Sequence, residues 1–347
     1  MSENSTCVLS RRALLLGPAA LAAAASGPPA VNIGLLGAVH SHAEGKLKVL
    51  KGSSEWRLVG VCEPDTAVRR WLQQEGIPLL SREQLLGHPD IKVIAVESAV
   101  RQHEADGLAV LEAQKHLHLE KAPAADFAAV QKIAAEARRR NLLFQVGHMW
   151  RYHPGIRKAL EIARSGALGR IYLVRANISN QLQPERRPEW GEFAGGVMFE
   201  LGSHLIDPIV RLMGRPPKVT PILRTDGGSD RLRDNTVAIL EWDKAMAIVH
   251  ASTLQPESSR HRSLEIYGTG GTVIVRPLEP PALTLELARA WQAYNSGRHE
   301  IPLPRYERYV GDFANLAAAV RGEASLPVSP EEEVLIQEAV LRCSGML

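Results

Sequence analysis

The 347-residue sequence has three cysteines, Cys7, Cys62 and Cys343, far apart and without a CxxC pair, so neither a disulfide framework nor a zinc ribbon is indicated. It also lacks a dense Lys/Arg block. With 41 basic and 38 acidic residues, its formal charge of +3 is spread along the whole chain, leaving no electrostatic footprint for nucleic acid. Internal repeats are absent, and the one compositionally biased tract lies near the start. What is present is 45% hydrophobic and 23% charged, an ordinary balance for a soluble globular protein and too apolar for a wholly disordered one. The length suits two domains, each able to bury its own core.

The biased tract is a targeting segment. Ser10-Arg11-Arg12 precedes Ala13-Leu14-Leu15-Leu16, an alanine-rich run over Leu21 to Ala25 and Ser26-Gly27-Pro28-Pro29. An arginine pair, a short apolar stretch and a small-residue cleavage region make the pattern of a twin-arginine signal peptide, here residues 1–27. The stretch is too short to span a bilayer, and the next basic residue after Arg12 is Lys46. The expectation is export to the periplasm and no membrane attachment once the signal is removed. Such export carries folded proteins, which suggests cofactor loading beforehand. The chain would remain cytoplasmic if the signal did not function.

Residues 31–150 read as an α/β unit with a parallel sheet. Short apolar runs alternate with helical patterns: Val31 to Gly37, Trp56 to Cys62, Val93 to Val96, His116 to Glu120 and Leu142 to Val146, with Ile77 to Leu80 a weaker strand and Ala124 to Arg140 a helix. Residues 151–347 read differently. A helix over Ile156 to Ser165 leads into alternating runs at Ile171 to Asn180, Thr236 to Trp242, Ala245 to Ser252, Ser263 to Tyr267 and Thr272 to Arg276, an open antiparallel sheet, with terminal helices over Tyr306 to Arg321 and Glu331 to Cys343.

The first strand runs into a turn and a helix, the place of a Rossmann phosphate turn. Counting from Gly37, however, the GxGxxG positions hold Gly37, Val39 and His42. Val39 puts a branched side chain where backbone should approach a pyrophosphate, and His42 replaces the glycine that lets helix and strand pack closely. His40 and His42 can instead donate to phosphate oxygens or simply cap the helix. A metal site from that pair is disfavoured because no third ligand is close in sequence. Glu63, ending the second strand, is placed to accept from a ribose 2′-hydroxyl and to repel a 2′-phosphate, favouring NAD over NADP; Arg69 and Arg70 nearby could pair with such a phosphate or form an exposed helix face.

Glu120-Lys121 falls at the carboxyl end of a parallel strand, where open α/β sheets bind ligands. Glu200, His204 and Asp207 share a helical spacing, so Glu200 can orient His204 as a general base; an uninvolved surface pair is the alternative. Arg151, where the two parts join, is a candidate substrate contact or a structural hinge residue.

These residues occur in an ordered series that resembles the glucose-fructose oxidoreductase, inositol dehydrogenase and rhizopine-catabolism family, Gfo/Idh/MocA. The series comprises the Gly37 turn, Val61-Cys62-Glu63-Pro64-Asp65, the Ser98 to His103 loop, Glu120-Lys121, Gly195 to Asp207, Asp234-Asn235-Thr236 and Tyr267-Gly268-Thr269-Gly270-Gly271-Thr272. It spans nearly everything after the signal. The resemblance implies a Rossmann domain followed by an α/β domain with an open, mostly antiparallel sheet. It also implies a nicotinamide cofactor near Gly37, Val39, His40, His42, Glu63, Ser98, His103 and Glu120, catalysis by Lys121 and His204, and a sugar-like or cyclitol-like substrate contacted by Arg151 and Asp207. A homo-oligomer formed through the open sheet is a further implication. Departures from the family pattern are Ala122 for the proline of EKP, Ala99 for a proline before the Ser98 to His103 loop and Glu200 for the aspartate of DxGxH. Net hydride transfer to a tightly held NAD is the leading reading. An NAD-dependent glycosidase working through transient oxidation and a non-catalytic ligand-binding protein are the alternatives.

Changing Arg11 and Arg12 together to Lys is expected to hold the chain in the cytoplasm. Cell fractionation and immunoblotting check this; equal periplasmic yield from the lysine pair would contradict it.

Overall fold

The computed structural model describes residues 28–347; the Arg11-Arg12 segment and Cys7 lie outside the described residues. Five parallel strands, β1 (Val31–Leu36), β2 (Trp56–Cys62), β3 (Val93–Val96), β4 (His116–Leu119) and β5 (Phe144–Val146), form a sheet in the order β2-β1-β3-β4-β5. Leu79 pairs in parallel with Val61, so the weak Ile77 to Leu80 strand survives as a single bridge outside β2. The order is then that of a doubly wound nucleotide-binding sheet. Helices α1 (Ala43–Gly52), α2 (Thr66–Gln74), α3 (Arg82–Gly87), α4 (His103–Glu112) and α5 (Phe127–Arg139) connect the strands. They explain why β3 is buried at every position: both faces of a parallel sheet are covered. The fifth helix begins three residues later than its apolar pattern predicts because Asp126 accepts from Ala129 N–H and caps it there.

After α6 (Pro154–Arg164) comes an eight-stranded sheet of β6 (Ile171–Ser179), β7 (Lys218–Arg224), β8 (Asn235–Trp242), β9 (Ala245–Ser252), β10 (Ser263–Gly268), β11 (Gly271–Val275), β12 (Leu283–Leu287) and β13 (Gly297–Ile301). Its order is β13-β12-β11-β10-β6-β9-β8-β7, antiparallel except where β6 meets β9. The expected open, mostly antiparallel sheet is therefore present, with three strands added. Two of them, β7 and β13, are edge strands; β7 carries Pro221, which an edge tolerates but which masks a strand in the sequence. Between β6 and β7 lie α7 (Arg187–Trp190) and α8 (Ser203–Met213), and the chain ends in α9 (Val310–Val320) and α10 (Pro330–Cys343). Tyr309, at φ 67°, starts α9 later than the Tyr306 expectation. The last helix opens on a Ser329/Glu332 capping box.

The two terminal helices return to the first sheet. Trp56 Nε1 donates to Phe313 O at 3.1 Å, and Gln337 Nε2 donates to Ala124 O. Between the two sheets lies a buried charge cluster. Arg151 donates through Nε to Asp207 Oδ1 at 2.8 Å and through Nη2 to Glu333 Oε2 at 2.7 Å, with His148 Nδ1 3.0 Å away. All four side chains are buried. Arg151, expected to contact substrate or to serve as a hinge residue, is bonded to Asp207 and Glu333, and Asp207, the other expected substrate contact, holds Arg151 in return.

Removing one member of a buried ion cluster leaves a charge without a partner, at a cost of about 3–5 kcal/mol. Glu333→Ala is thus expected to lower the melting temperature markedly in a thermal scan, while Glu331→Gln, in an exposed pair on the same helix, leaves it unchanged. Equal behaviour of the two variants would refute the assignment.

Candidate functional site

Three of the parallel strands are followed directly by a carboxylate: Glu63 after β2, Glu97 after β3 and Glu120 after β4. At this carboxyl edge α1 delivers Lys46, a lysine on the buried face of a helix whose other inward residues are Ala43, Leu47 and Leu50. Lys46 is 0% exposed. Its Nζ donates to Glu97 Oε1 at 2.5 Å and to Glu120 Oε2, and lies 2.9 Å from His118 Nε2. Burial alone would strip the proton from Lys46, but the Glu120 and Glu97 carboxylates reverse the effect and hold its pKa above the ordinary lysine value. Burial pushes Glu97 upward, and its Oε2 has no partner among the described residues. Glu120 is held well below the usual carboxylate range, with Lys46, His42 and His40 overcoming the effect of burial. The cluster leaves no room beside it: a Cβ on Gly147, just after β5, would stand 2.9 Å from Glu120 Oε2 and 3.2 Å from Lys46 Nζ.

From this cluster the other oxygen of Glu120, Oε1, reaches His42 Nδ1 at 3.0 Å. The ring of His40 sits edge-on to that of His42 with centroids 4.8 Å apart, its Nδ1 accepting from His42 N–H. Gly37 keeps the tight turn, at φ 82°, where a Cβ would meet Ser98 N at 2.5 Å. Val39 is 47% exposed, so its branched side chain stands out from the turn and does not fill the core beneath it. Glu63 is 1% exposed; Oε2 accepts from Ala38 N–H at 2.6 Å and Oε1 from Asp65 N–H at 2.7 Å, fixing the carboxylate under the turn. The turn, the strand-end acid and the helix start are compatible with a dinucleotide, with His40 and His42 where bare backbone usually stands. Ser98 and His103 are further inside. Ser98 Oγ donates to Asp106, and the ring nitrogens of the buried His103 lie 2.9 Å from Ala122 O and 3.0 Å from Ser98 O. His103, expected to contact the cofactor, thereby ties the loop after β3 to the loop after β4.

Lys121 and His204 are 4% and 3% exposed. Lys121 is the second residue after β4, and its peptide bond to Ala122 is cis. Across the cleft a π-helical turn, Met198–Gly202, precedes α8, and Lys121 Nζ donates to both Glu200 O at 3.1 Å and Glu200 Oε2 at 3.2 Å. The spacing-based pairing of Glu200 with His204 is not found. A carboxylate gains more from a full ammonium charge than from a buried, uncharged ring. The His204 ring lies 5.2 Å from Trp150, 6.1 Å from His42 and 6.2 Å from His148, and its Nδ1 has no hydrogen-bond partner among the described residues. Burial first, then the ammonium of Lys121, lowers its pKa well below the ordinary 6.5. It is a neutral imidazole at pH 7, able to accept a proton. Its chemistry, not cavity size, marks the site: a hollow of about 850 Å³ lined by Arg157, Arg164 and Arg211 contains neither Lys121 nor His204.

Sequence reasoning missed Lys46, Glu97, His118, Trp150 and Glu333. Two signals were available. Lys46 interrupts the apolar stripe of α1, and Glu97 repeats the strand-end position of Glu63 and Glu120.

Comparison with known proteins bears on the whole chain. Residues 31–148 match the oxidoreductase family with NAD-binding Rossmann fold, and residues 156–274 match the GFO/IDH/MocA C-terminal domain. Among curated relatives, trans-1,2-dihydrobenzene-1,2-diol dehydrogenase of Bos taurus is 28% identical over 72% of this chain and 73% of its own length. The scyllo-inositol 2-dehydrogenase (NADP(+)) IolW of Bacillus subtilis is 23% identical over 73% and 75%. Two solved structures show the same fold. A putative NADPH-dependent oxidoreductase from Desulfitobacterium hafniense superposes with a TM-score of 0.79 at 17% identity, covering 91% of this chain and 95% of that one. The WlbA dehydrogenase from Chromobacterium violaceum, in complex with NADH and UDP-GlcNAcA, gives 0.78 at 18%, covering 92% and 94%.

Because an unfolded histidine takes up protons near pH 6.5 and His204 in the fold does not, its contribution to stability is full above that pH and is lost as pH falls below it. NMR of selectively labelled histidine should show His204 titrating well below 6.5, and Lys121→Met should move the midpoint upward. A wild-type midpoint at 6.5, unmoved by the substitution, would contradict the electrostatic account.

Proposed function

The chain belongs to the Gfo/Idh/MocA family of NAD-binding oxidoreductases, and on that premise we propose that it oxidises a CH–OH group of a cyclic polyol or sugar-like substrate, with NAD as the cofactor. The observation that carries this reading is that Lys121, from the strand end of the first sheet, is held by the Glu200 turn that leads into the helix of His204, with both side chains buried and the Lys121 charge acting on the imidazole. Relatives named for dihydrodiol and inositol oxidation support the substrate class.

The nicotinamide, when bound, supplies the hydride acceptor. Lys121, pinned by Glu200, presents its ammonium to the substrate oxygen and stabilises negative charge developing there. The neutral ring of His204 takes the hydroxyl proton. Glu200 acts as the partner that aims Lys121. Trp150 packs against His204 and limits the ring's rotation. A preference for NAD over NADP rests on Glu63: its carboxylate, fixed beneath the turn by Ala38 and Asp65 N–H, would oppose the nearly double charge of a 2′-phosphate. Arg69, whose Nη1 donates to Glu63 O at 3.2 Å, is the counterweight. One face of the second sheet pairs Ile222 with Val237 and Ile239 with Ile248, with the exposed Met246 opposite Glu241, a largely apolar surface suited to a second copy of the chain. The Arg11-Arg12 segment supports a periplasmic location, where a cofactor retained through export serves better than a free pool.

Lys121→Met should lower turnover by about 10²-fold or more while leaving dinucleotide affinity within a few-fold, in a screen of inositols, aldoses and cyclic diols followed by NADH formation. A parallel loss of dinucleotide affinity would overturn the assignment of Lys121 to the substrate oxygen.

A further inference from the structure

Two groups of potential metal ligands share Glu120, and they differ in what already occupies them. Glu97, His118 and Glu120 form one group. Its centre is taken by an internal cation, the Lys46 ammonium, which contacts all three side chains. His40, His42 and Glu120 form the other, with one ligand atom from each lying within 4.8 Å of the others. No ammonium or guanidinium among the described residues is hydrogen-bonded to Glu120 Oε1, the oxygen turned toward His42.

We propose that His40, His42 and Glu120 form a binding site for a divalent cation of the zinc class. Two imidazoles and one carboxylate are borderline-soft ligands that suit Zn²⁺, Co²⁺ or Fe²⁺ in preference to Mg²⁺ or Ca²⁺. The turn that brings the two histidines together departs from glycine at the position His42 occupies, so an imidazole stands where a dinucleotide turn needs no side chain. Glu120 is held as a metal-binding carboxylate should be: Lys46 donates to Oε2 and fixes the group from behind, leaving Oε1 facing the imidazoles.

Neighbouring positive charge does not close the site. Lys46 is compensated by Glu97 and Glu120, and Lys121 by Glu200. A second observation points the same way: the ring of His204 lies 6.1 Å from that of His42, and its buried Nδ1 has no hydrogen-bond partner among the described residues. Three protein ligands leave at least one coordination position open, the arrangement of a reactive site rather than a closed structural one. An ion here would share the cleft with Lys121 and His204 and could take an oxygen of a small alcohol or water as its fourth ligand.

The site shares His40, His42 and Glu120 with the dinucleotide turn, so it is tested without dinucleotide. Tag-free, chelator-stripped full-length protein is titrated with Co²⁺, read by visible ligand-field absorption and by calorimetry, and then challenged with Zn²⁺. The expected result is one ion per chain, displaced by Zn²⁺, with affinity reduced at least ~10-fold in His40→Ala and in His42→Ala. Circular dichroism confirms that each variant is folded; His40 is partly exposed, so its variant is the safer of the two. Absence of saturable binding to the wild type, or affinity unchanged in folded His40→Ala, overturns the site. Neither outcome alters the case for Lys121 and His204.

Discussion

An ammonium buried away from solvent must be neutralised where it stands, and Lys46 sets that demand at the carboxyl edge of the parallel sheet. Removing the charge from solvent costs several kcal/mol per ion unless close, well-formed partners repay it. The partners are Glu97 and Glu120, each the first residue after its strand. Fixing Glu120 has two consequences one bond apart in the chain. Its second oxygen is directed at His42 and the dinucleotide turn, and the next residue, Lys121, is directed across the cleft to Glu200. One buried lysine thereby ties together the start of α1 and the ends of β3 and β4, from which Lys121 extends.

A second buried charge cluster does for the junction of the two parts what Lys46 does for the sheet edge. Arg151 gathers Asp207 of α8 and Glu333 of α10, while Glu333 also accepts from Val146 N–H at the end of β5. Since Asp207 lies one helical turn beyond His204, this cluster sets the depth at which His204 enters the cleft. Ionic partners demand specific geometry where apolar packing tolerates sliding, which suits a candidate site whose members Lys121 and His204 come from different parts of the chain.

Much of the fold was legible because burial on both faces makes a parallel strand an uninterrupted apolar run, as in Val93-Ile94-Ala95-Val96, and because Asp-Lys and Gly-rich turns separate the antiparallel strands. The edge strands β7 and β13 escaped because an edge has fewer neighbours to dictate its pattern. Lys121 and His204 could be read from position and family resemblance. Their partners could not: Glu200 lies at the right spacing for His204, and only the three-dimensional fold shows that Lys121 is the charge it meets. The role of Arg151 depended on Glu333, 182 residues away, a separation that no local pattern reports. Glu120 likewise joins His40 and His42 from 78 residues beyond His42.

A turn retaining one glycine, with Val39 turned outward and Glu63 fixed beneath it, is expected to hold a nicotinamide dinucleotide. Calorimetric titration of the chelator-treated protein with NAD and with NADP tests it most directly. One dinucleotide per chain is expected to bind saturably, NAD more tightly than NADP. Failure of both dinucleotides to bind, in protein that also releases none on denaturation, would contradict it.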